Sequence, residues 1–415
     1  MKALGLALLL AVIARSAVAP GDEGSAVSAD SAGPGQTEVS RNDEGEKPYK
    51  QPSPEPLDFR GPGREEPEPD VPEVVIGWFG PGDAGHPDFG DFWRGATLAL
   101  EQENAAGGYR GKPFRLVPAW SESPWKAGIA DVTRLVHERG AWAILGGVDG
   151  TTTHLAVQIA LKSHFVLLSP GSTDATADHA NVPWLFSLPP SDEQVAPSLA
   201  GAVARAAGGG PFAVAASTDH DSHAALVSLR RALGVRGLGP ATLVEVAPLE
   251  EDLPAVAGRL RHEGPRVVVV LGPSRLAGRL VAAIRESGYR GTIVGGAPAA
   301  RSAFRRAAGE AAEGVIAPCL VEPGPAQEEL ARAYERRWGE LPDEAAAHGH
   351  DAVRLLAAAV RRAGLNRALI RDAVRALAPW PGASGPVRWN ALGRNERPVA
   401  LGAWRGGRLS VTPAP

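Results

Sequence analysis

Residues 143–173 read AILGGVDGTTTHLAVQIALKSHFVLLSPGST, and the changes of texture along this stretch decide the fold. A short apolar run, 143–145, stops at Gly146-Gly147. Asp149-Gly150-Thr151-Thr152 then offers capping side chains, and Leu155 and Ile159 recur with the intervening alanines at helical spacing. A second apolar run, 165–168, is broken by Ser169-Pro170-Gly171-Ser172-Thr173. The order is strand, loop, helix, strand, loop. So short a connection predicts a parallel strand pair with a right-handed crossover. Both loops then leave the carboxyl edge of the sheet, where open α/β sheets hold their ligands. The first loop also presents free backbone N–H groups at a helix start, which suits an anion.

The same alternation extends in both directions. Upstream, residues 74–77 read as a buried strand running into the turn-rich Trp78-Phe79-Gly80-Pro81-Gly82. A helix over 91–104, a strand over 114–117, a helix over 124–138 and a strand over 141–145 follow. Downstream, Leu188-Pro189-Pro190 interrupts the series and a second one begins. It has strands over 212–216, 241–246, 267–271 and 292–294, with helices from Glu193 and Ser222 and over 253–262 and 274–287. Strict alternation predicts parallel sheets covered on both faces. Two such series predict an α/β protein of two Rossmann-like lobes. From Gly314 a strand (315–317) leads to helices over 327–338, 345–363 and 367–377, then short strands over 385–389, 399–404 and 409–411. No repeat of solenoid length is present.

Composition agrees. The chain has 415 residues, enough for two lobes with separate cores. Formal charge is −4, concentrated in residues 20–72, where thirteen acidic residues face five basic ones; the remainder is close to neutral. Nothing suggests a nucleic-acid surface. Cys319 is the only cysteine, which excludes an intrachain disulfide and a cysteine-based zinc site. Residues 3–13 form an unbroken apolar run after Met1-Lys2, and Ala17-Val18-Ala19 has the spacing of a signal-peptidase site. We therefore expect a signal peptide over 1–19 and an exported, periplasmic protein, without the cysteine that a lipid anchor needs. Residues 20–72, rich in Pro, Gly, Glu, Asp and Ser, cannot bury enough surface to order themselves and read as a disordered acidic tether.

At this point the chain resembles a known family, the type I periplasmic binding proteins, and within it the branched-chain amino-acid-binding (Leu/Ile/Val-binding) branch of ABC-transporter solute receptors. The resemblance rests on an ordered set of pieces running from about residue 74 to residue 409. They are Val75-Ile76-Gly77 with Gly80-Pro81, Phe89-Gly90, Glu103-Asn104-Ala105-Ala106-Gly107-Gly108, Gly146-Gly147 with Thr151-Thr152-Thr153, and Leu168-Ser169-Pro170-Gly171-Ser172-Thr173. Ala308-Gly309-Glu310-Ala311-Ala312-Glu313-Gly314 and Gly385-Pro386-Val387-Arg388-Trp389 complete it. The resemblance implies two lobes joined by three crossings, expected near 188–191, 318–321 and 383–386. Lobe 1 would comprise 73–188 and 320–383, and lobe 2 would comprise 189–319 and 384–411. It also implies a small ligand captured between the lobes, delivery to a membrane permease, and no chemistry on the ligand.

Family members hold an amino acid's carboxylate at the loop matching Gly150 to Thr152 and again at the matching Gly171 and Thr173, with Ser172 between them. Capping of the helix is the alternative role for the threonines. Here Asp149 stands beside the anion site, where its own carboxylate competes with an incoming one. The loop matching the family's ammonium-binding acid reads Gly296-Ala297-Pro298, and the loops matching two family tyrosines read Asp219-His220-Asp221 and Gly272-Pro273-Ser274. The apparatus for an α-amino acid is mostly gone. We expect a different small polar solute, amino-acid-like, an amide, neutral or cationic.

Trp78 and Phe89 are expected at the cleft rim, where aromatic faces can stack on a ligand; core packing is the alternative. Trp120, Trp125 and Trp142 read as structural. Asp219-His220-Asp221-Ser222-His223 allows a metal reading, as does His348-Gly349-His350-Asp351, but a polar cleft loop and a helix start account for them, so neither a metal nor a cofactor is expected. No G-x-G-x-x-G follows the first strand, and no phosphate loop, nucleophile elbow or H-E-x-x-H is present. The chain reads as a monomeric binding protein; a ligand sensor signalling to a protein partner is the alternative to transport.

Overall fold

The computed structural model describes residues 58–121, 124–179 and 181–411. The expected leader and residues 20–57 of the expected tether lie outside them. The first series is β1 (Val74–Phe79), α1 (Gly90–Ala105), β2 (Phe114–Ala119), α2 (Pro124–His137), β3 (Ala143–Gly146), α3 (Gly150–Ser163), β4 (Val166–Ser169), α4 (Ala175–His179) and β5 (Leu185–Ser187). Its five strands form one sheet in the order β2-β1-β3-β4-β5, every pair parallel. Alternate residues of β1 serve opposite faces, as pleating requires. Val74, Ile76 and Trp78 enter a core with α1, and Phe79 enters another under α2 and α3.

The second series is α5 (Asp192–Ala207), β6 (Phe212–Ser217), α6 (His220–Gly234), β7 (Thr242–Val246), α7 (Leu253–Arg261), β8 (Val267–Leu271), α8 (Ser274–Glu286), β9 (Thr292–Gly295), α9 (Ser302–Ala308) and β10 (Ile316–Cys319). Its parallel strands run β7-β6-β8-β9-β10, the first sheet's order repeated. The chain then returns to the first lobe with α10 (Pro325–Trp338), α11 (Glu344–Ala363), α12 (Arg367–Ala376) and the hairpin β11 (Trp380–Gly382) and β12 (Gly385–Val387). β13 (Ala400–Arg405) and β14 (Arg408–Val411) close the second sheet, antiparallel beside β10.

α11 lies against α1 across two glycines. A methyl group at Gly95 would overlap the Ala346 carbonyl, and one at Gly349 would overlap the Phe92 carbonyl. The two helices therefore meet backbone to backbone, which side chains would prevent.

Three expectations need correction. The third crossing is not at 383–386: the Asp351 carboxylate accepts from the Ala383 and Ser384 N–H groups at 2.7 Å each, and Val387 is buried in the first lobe's core. Trp389 Nε1 donates to the Val374 carbonyl at 2.9 Å, so this segment stays with the first lobe until about Asn395, and Val399 is the first residue to pack on the second. Residues 58–72 are not a free tether. Phe59 packs on Trp184 and His164, with ring centres 4.7 and 4.6 Å apart. Glu68 accepts from Tyr109 Oη at 2.5 Å and from the Leu365 N–H at 3.3 Å, and Arg64 pairs with Asp372. Trp125, read as structural, is 70% exposed. β5 and β11 are short strands of three residues each.

Candidate functional site

Identical strand order in the two lobes puts their topological switch points, β1/β3 and β6/β8, on the same side of each sheet. The loops leaving those strand ends face each other across a cavity of about 170 Å³. The first lobe contributes Asp88 and Phe89, Val148, Asp149 and Thr151, Gly171 and Thr173, and Asp192 at the first crossing. From the second come Asp219, Asp221, Leu271, Ser274, Pro298 and Arg301.

Local sequence explains how each is held. Asp149 is the N-cap of α3: its Oδ1 accepts from the Thr152 N–H at 2.8 Å and from Thr152 Oγ1 at 2.5 Å, closing a capping box. Asp219 caps α6 in the same way, accepting from the Ser222 N–H at 3.0 Å. Two residues into α6, Asp221 reaches across the cleft, and its Oδ1 accepts from the Gly150 N–H at 2.6 Å. The N-terminus of α3 is therefore served by two of the protein's own carboxylates, one from each lobe. The lobes also touch where the Arg275 N–H donates to Asp88 Oδ1 at 3.1 Å.

Five carboxylates surround this cavity, and burial makes ionisation costly for several of them. Burial pushes Asp192 up to about 7, against the opposing hydrogen bond from Thr173 Oγ1 at 3.1 Å. Asp221 is raised well above the ordinary carboxylate range, first by burial and then by Asp149 beside it. Asp149 is raised too, by burial, against its bonds from Thr152. The one guanidinium on the lining belongs to Arg301, 7% exposed, which opposes the rise at Asp149 and donates from Nη2 to the Gly171 carbonyl at 3.5 Å. Its Nε donates to Glu344 at 3.1 Å and its plane lies 5.0 Å from the Phe92 ring centre.

Of the residues singled out from sequence, Phe89, Asp149, Thr151, Gly171, Thr173, Asp219, Asp221 and Ser274 line the cavity. Trp78 does not. It is fully buried in the first lobe's core, with Nε1 donating to the Pro81 carbonyl at 3.0 Å. Thr152 and Ser172 are buried behind the wall, and Ala297 packs in the second lobe's core. Gly150 presents its N–H to Asp221 rather than to the cavity, and His220 turns to Asp174, 2.7 Å away. Asp88, Asp192 and Arg301 went unrecognised. Asp192 had a visible signal, an acid at a helix start just after Pro189-Pro190-Ser191.

Behind the wall, Arg394 organises the loop. It is 1% exposed, and all five N–H groups have acceptors. Nε and Nη2 grip the Asp178 carboxylate at 2.7 and 2.9 Å. The carbonyls of Asp174 at 2.9 Å, Pro189 at 3.2 Å and Ser172 take the rest.

A two-lobed α/β body with a cleft at the strand tips of both sheets has the form of a solute receptor. The family model described as periplasmic binding protein matches residues 73–408, and the chain belongs to that family. A curated relative, the amino acid binding protein of Pseudomonas aeruginosa, is 27% identical over 302 residues, covering 71% of this chain and 80% of that one. The fold matches LivJ of Streptococcus pneumoniae, a branched-chain amino acid transporter substrate binding protein solved with isoleucine. That match has a TM-score of 0.74 and 21% identity, covering 82% of this chain and 98% of that one. It also matches a solute binding protein of an ABC transporter from R. palustris solved with benzoate, with a TM-score of 0.71 and 17% identity, covering 82% and 95%. These likenesses establish the type I periplasmic-binding-protein fold. No helix among the described residues is long and apolar enough to cross a membrane.

Proposed function

We propose that this protein is an exported receptor that captures a small solute bearing an amine or other cationic group, and no free α-carboxylate, and delivers it to an ABC-type permease without altering it. Delivery and export rest on membership of the family; the solute class rests on the cleft. The observation that carries it is the Asp221 carboxylate on the Gly150 N–H at 2.6 Å, with the Asp149 carboxylate on the Thr152 N–H two residues further on. A helix N-terminus that would hold a ligand's anion is already occupied by two of the protein's own carboxyl groups. A further carboxylate would add charge to a site whose carboxyls already resist ionisation. A cation relieves that repulsion, and the half-buried Phe89 on the lining can stack on it.

Leucine and leucinamide separate the possibilities, because they differ only in the carboxylate. Calorimetric titration of the full chain is expected to give tighter binding of leucinamide than of leucine, with putrescine and agmatine as further cationic probes. Leucine binding at least ten times more tightly than leucinamide would falsify the assignment.

A further inference from the structure

We propose that His154, Asp174 and His220 form a binding site for one divalent first-row metal ion, Zn²⁺ by its ligand chemistry, that bridges the two lobes. His154 is on α3 and Asp174 on the loop before α4, both in the first lobe; His220 opens α6 in the second. Their ligand atoms lie within 4.8 Å of one another. His154 Nε2 is 2.9 Å and His220 Nε2 2.7 Å from the same oxygen, Asp174 Oδ2. The two rings stand at 90° with centres 5.1 Å apart, so they converge on that oxygen by their edges rather than stacking.

Two imidazoles and one carboxylate are a first-row metal donor set, and three protein ligands leave a fourth position for water. Metal–donor bonds of about 2.0–2.2 Å in a tetrahedral site put the donor atoms roughly 3.3 Å apart. The present separations are about half an ångström shorter, so the imidazoles must draw back slightly. Both can, since their side chains are 28% and 40% exposed.

The carboxylate is fixed in advance. Asp174 is fully buried, and its Oδ1 accepts from the Thr176 N–H and Oγ1, each at 2.8 Å, which turns Oδ2 toward the imidazoles. A bonded partner that orients a ligand in this way is the supporting shell metal sites use. The surroundings favour a cation as well. Asp149, Asp192, Asp219 and Asp221 gather at the adjoining cavity, whereas the nearby Arg394 is committed to Asp178.

An ion here ties the first lobe to the second, so it binds the closed form more tightly than the open one. Ion and cleft solute are then coupled reciprocally: shared closure of the lobes strengthens both, and charge repulsion between the ion and a cationic solute opposes it. Without an ion, the same atoms form only a hydrogen-bonded latch.

The test is equilibrium dialysis of chelator-stripped, tag-free full chain against ZnCl₂. One ion per chain is expected. His154→Ala and His220→Ala should each weaken binding at least about tenfold, the loss that even a supporting partner's removal causes. His262→Ala, whose side chain is 84% exposed far from the cluster in sequence, should change nothing. Because substitution at the cleft can disturb folding, Co²⁺ is added to the wild-type chain in parallel, where intense visible bands of a four-coordinate ion are expected. No saturable Zn²⁺ binding, wild-type affinity in both histidine variants, or only the weak bands of aqueous Co²⁺ overturns the site and leaves the latch.

Discussion

Replacing Arg394 by methionine tests whether the ligand loop is held by a buried ion pair. The substitution keeps most of the side chain's length but removes five N–H donors. It leaves the Asp178 carboxylate without its partner and the carbonyls of Ser172, Asp174 and Pro189 without that donor. Breaking one half of a buried pair costs about 3–5 kcal/mol, because the remaining charge is stranded. Orphaned carbonyls cost about 1–3 kcal/mol each when no water reaches them, so the pair alone sets the lower bound. With a urea slope of roughly 3 kcal/mol/M, the top of the usual range, the unfolding midpoint should fall by about 1–1.7 M.

The assay is urea unfolding followed by tryptophan fluorescence, since Trp184 and Trp389 belong to the same lobe. Asp178 is already raised by burial, against the opposing charge of Arg394. Without Arg394 it is raised further and is neutralised by protonation at lower pH, so the loss should be smaller at pH 5 than at pH 8. Adding Asp178→Leu to Arg394→Met should recover more than half of the loss. A single variant costing less than about 1 kcal/mol, or a double variant no more stable than the single, refutes the reasoning.

Other outcomes follow from the cleft and the helix seam. Asp192, raised to about 7, binds a cation only when ionised, so affinity for an amine solute should increase as pH rises through 7. Asp192→Asn should flatten that dependence in calorimetric titrations from pH 6 to 8. The same shift has the opposite sign for stability: between about 4 and 7 the folded state holds a proton that the unfolded chain releases, so Asp192 lowers stability as pH rises. Melting of Asp192→Asn should therefore be less pH-dependent in that window. Asp221→Asn keeps an acceptor for Gly150 and removes the repulsion with Asp149; it should raise the melting temperature while weakening amine binding. Gly349→Ala forces α1 and α11 apart at the Phe92 carbonyl and should cost about 1–3 kcal/mol or more in urea titration.

The layered α/β body was legible because periodicity reports burial: the helices between β6 and β9 bury one face each, and β6 and β8 are apolar runs buried on both. Asp149 as a cap was legible for the same local reason, since its partner Thr152 is only three residues away. Trp78 was misread because the turn residues after it suggested a loop. Its place at the second step after Val74 and Ile76 assigns it to the core face. The third crossing was misplaced because a Gly-Pro boundary marks a turn, whereas what keeps 383–395 on the first lobe is remote in sequence: Asp351, Val374 and Ser187. The same distance hid Arg394, and it hid the convergence of His154 and Asp174 on His220. A sequence shows each ligand alone; only the packing of α3 against α6 brings them to one point.

The glycine-lined seam has a consequence for how the protein is made. α1 is synthesised early and its partner α11 some 240 residues later, so the first lobe stays half-built while the whole of β6 to β10 passes the ribosome. The middle of the chain holds most of its own sheet and can compact first. The exposed inner surface of α1 meanwhile waits for a distant helix, an interval in which its apolar face is open to misassociation.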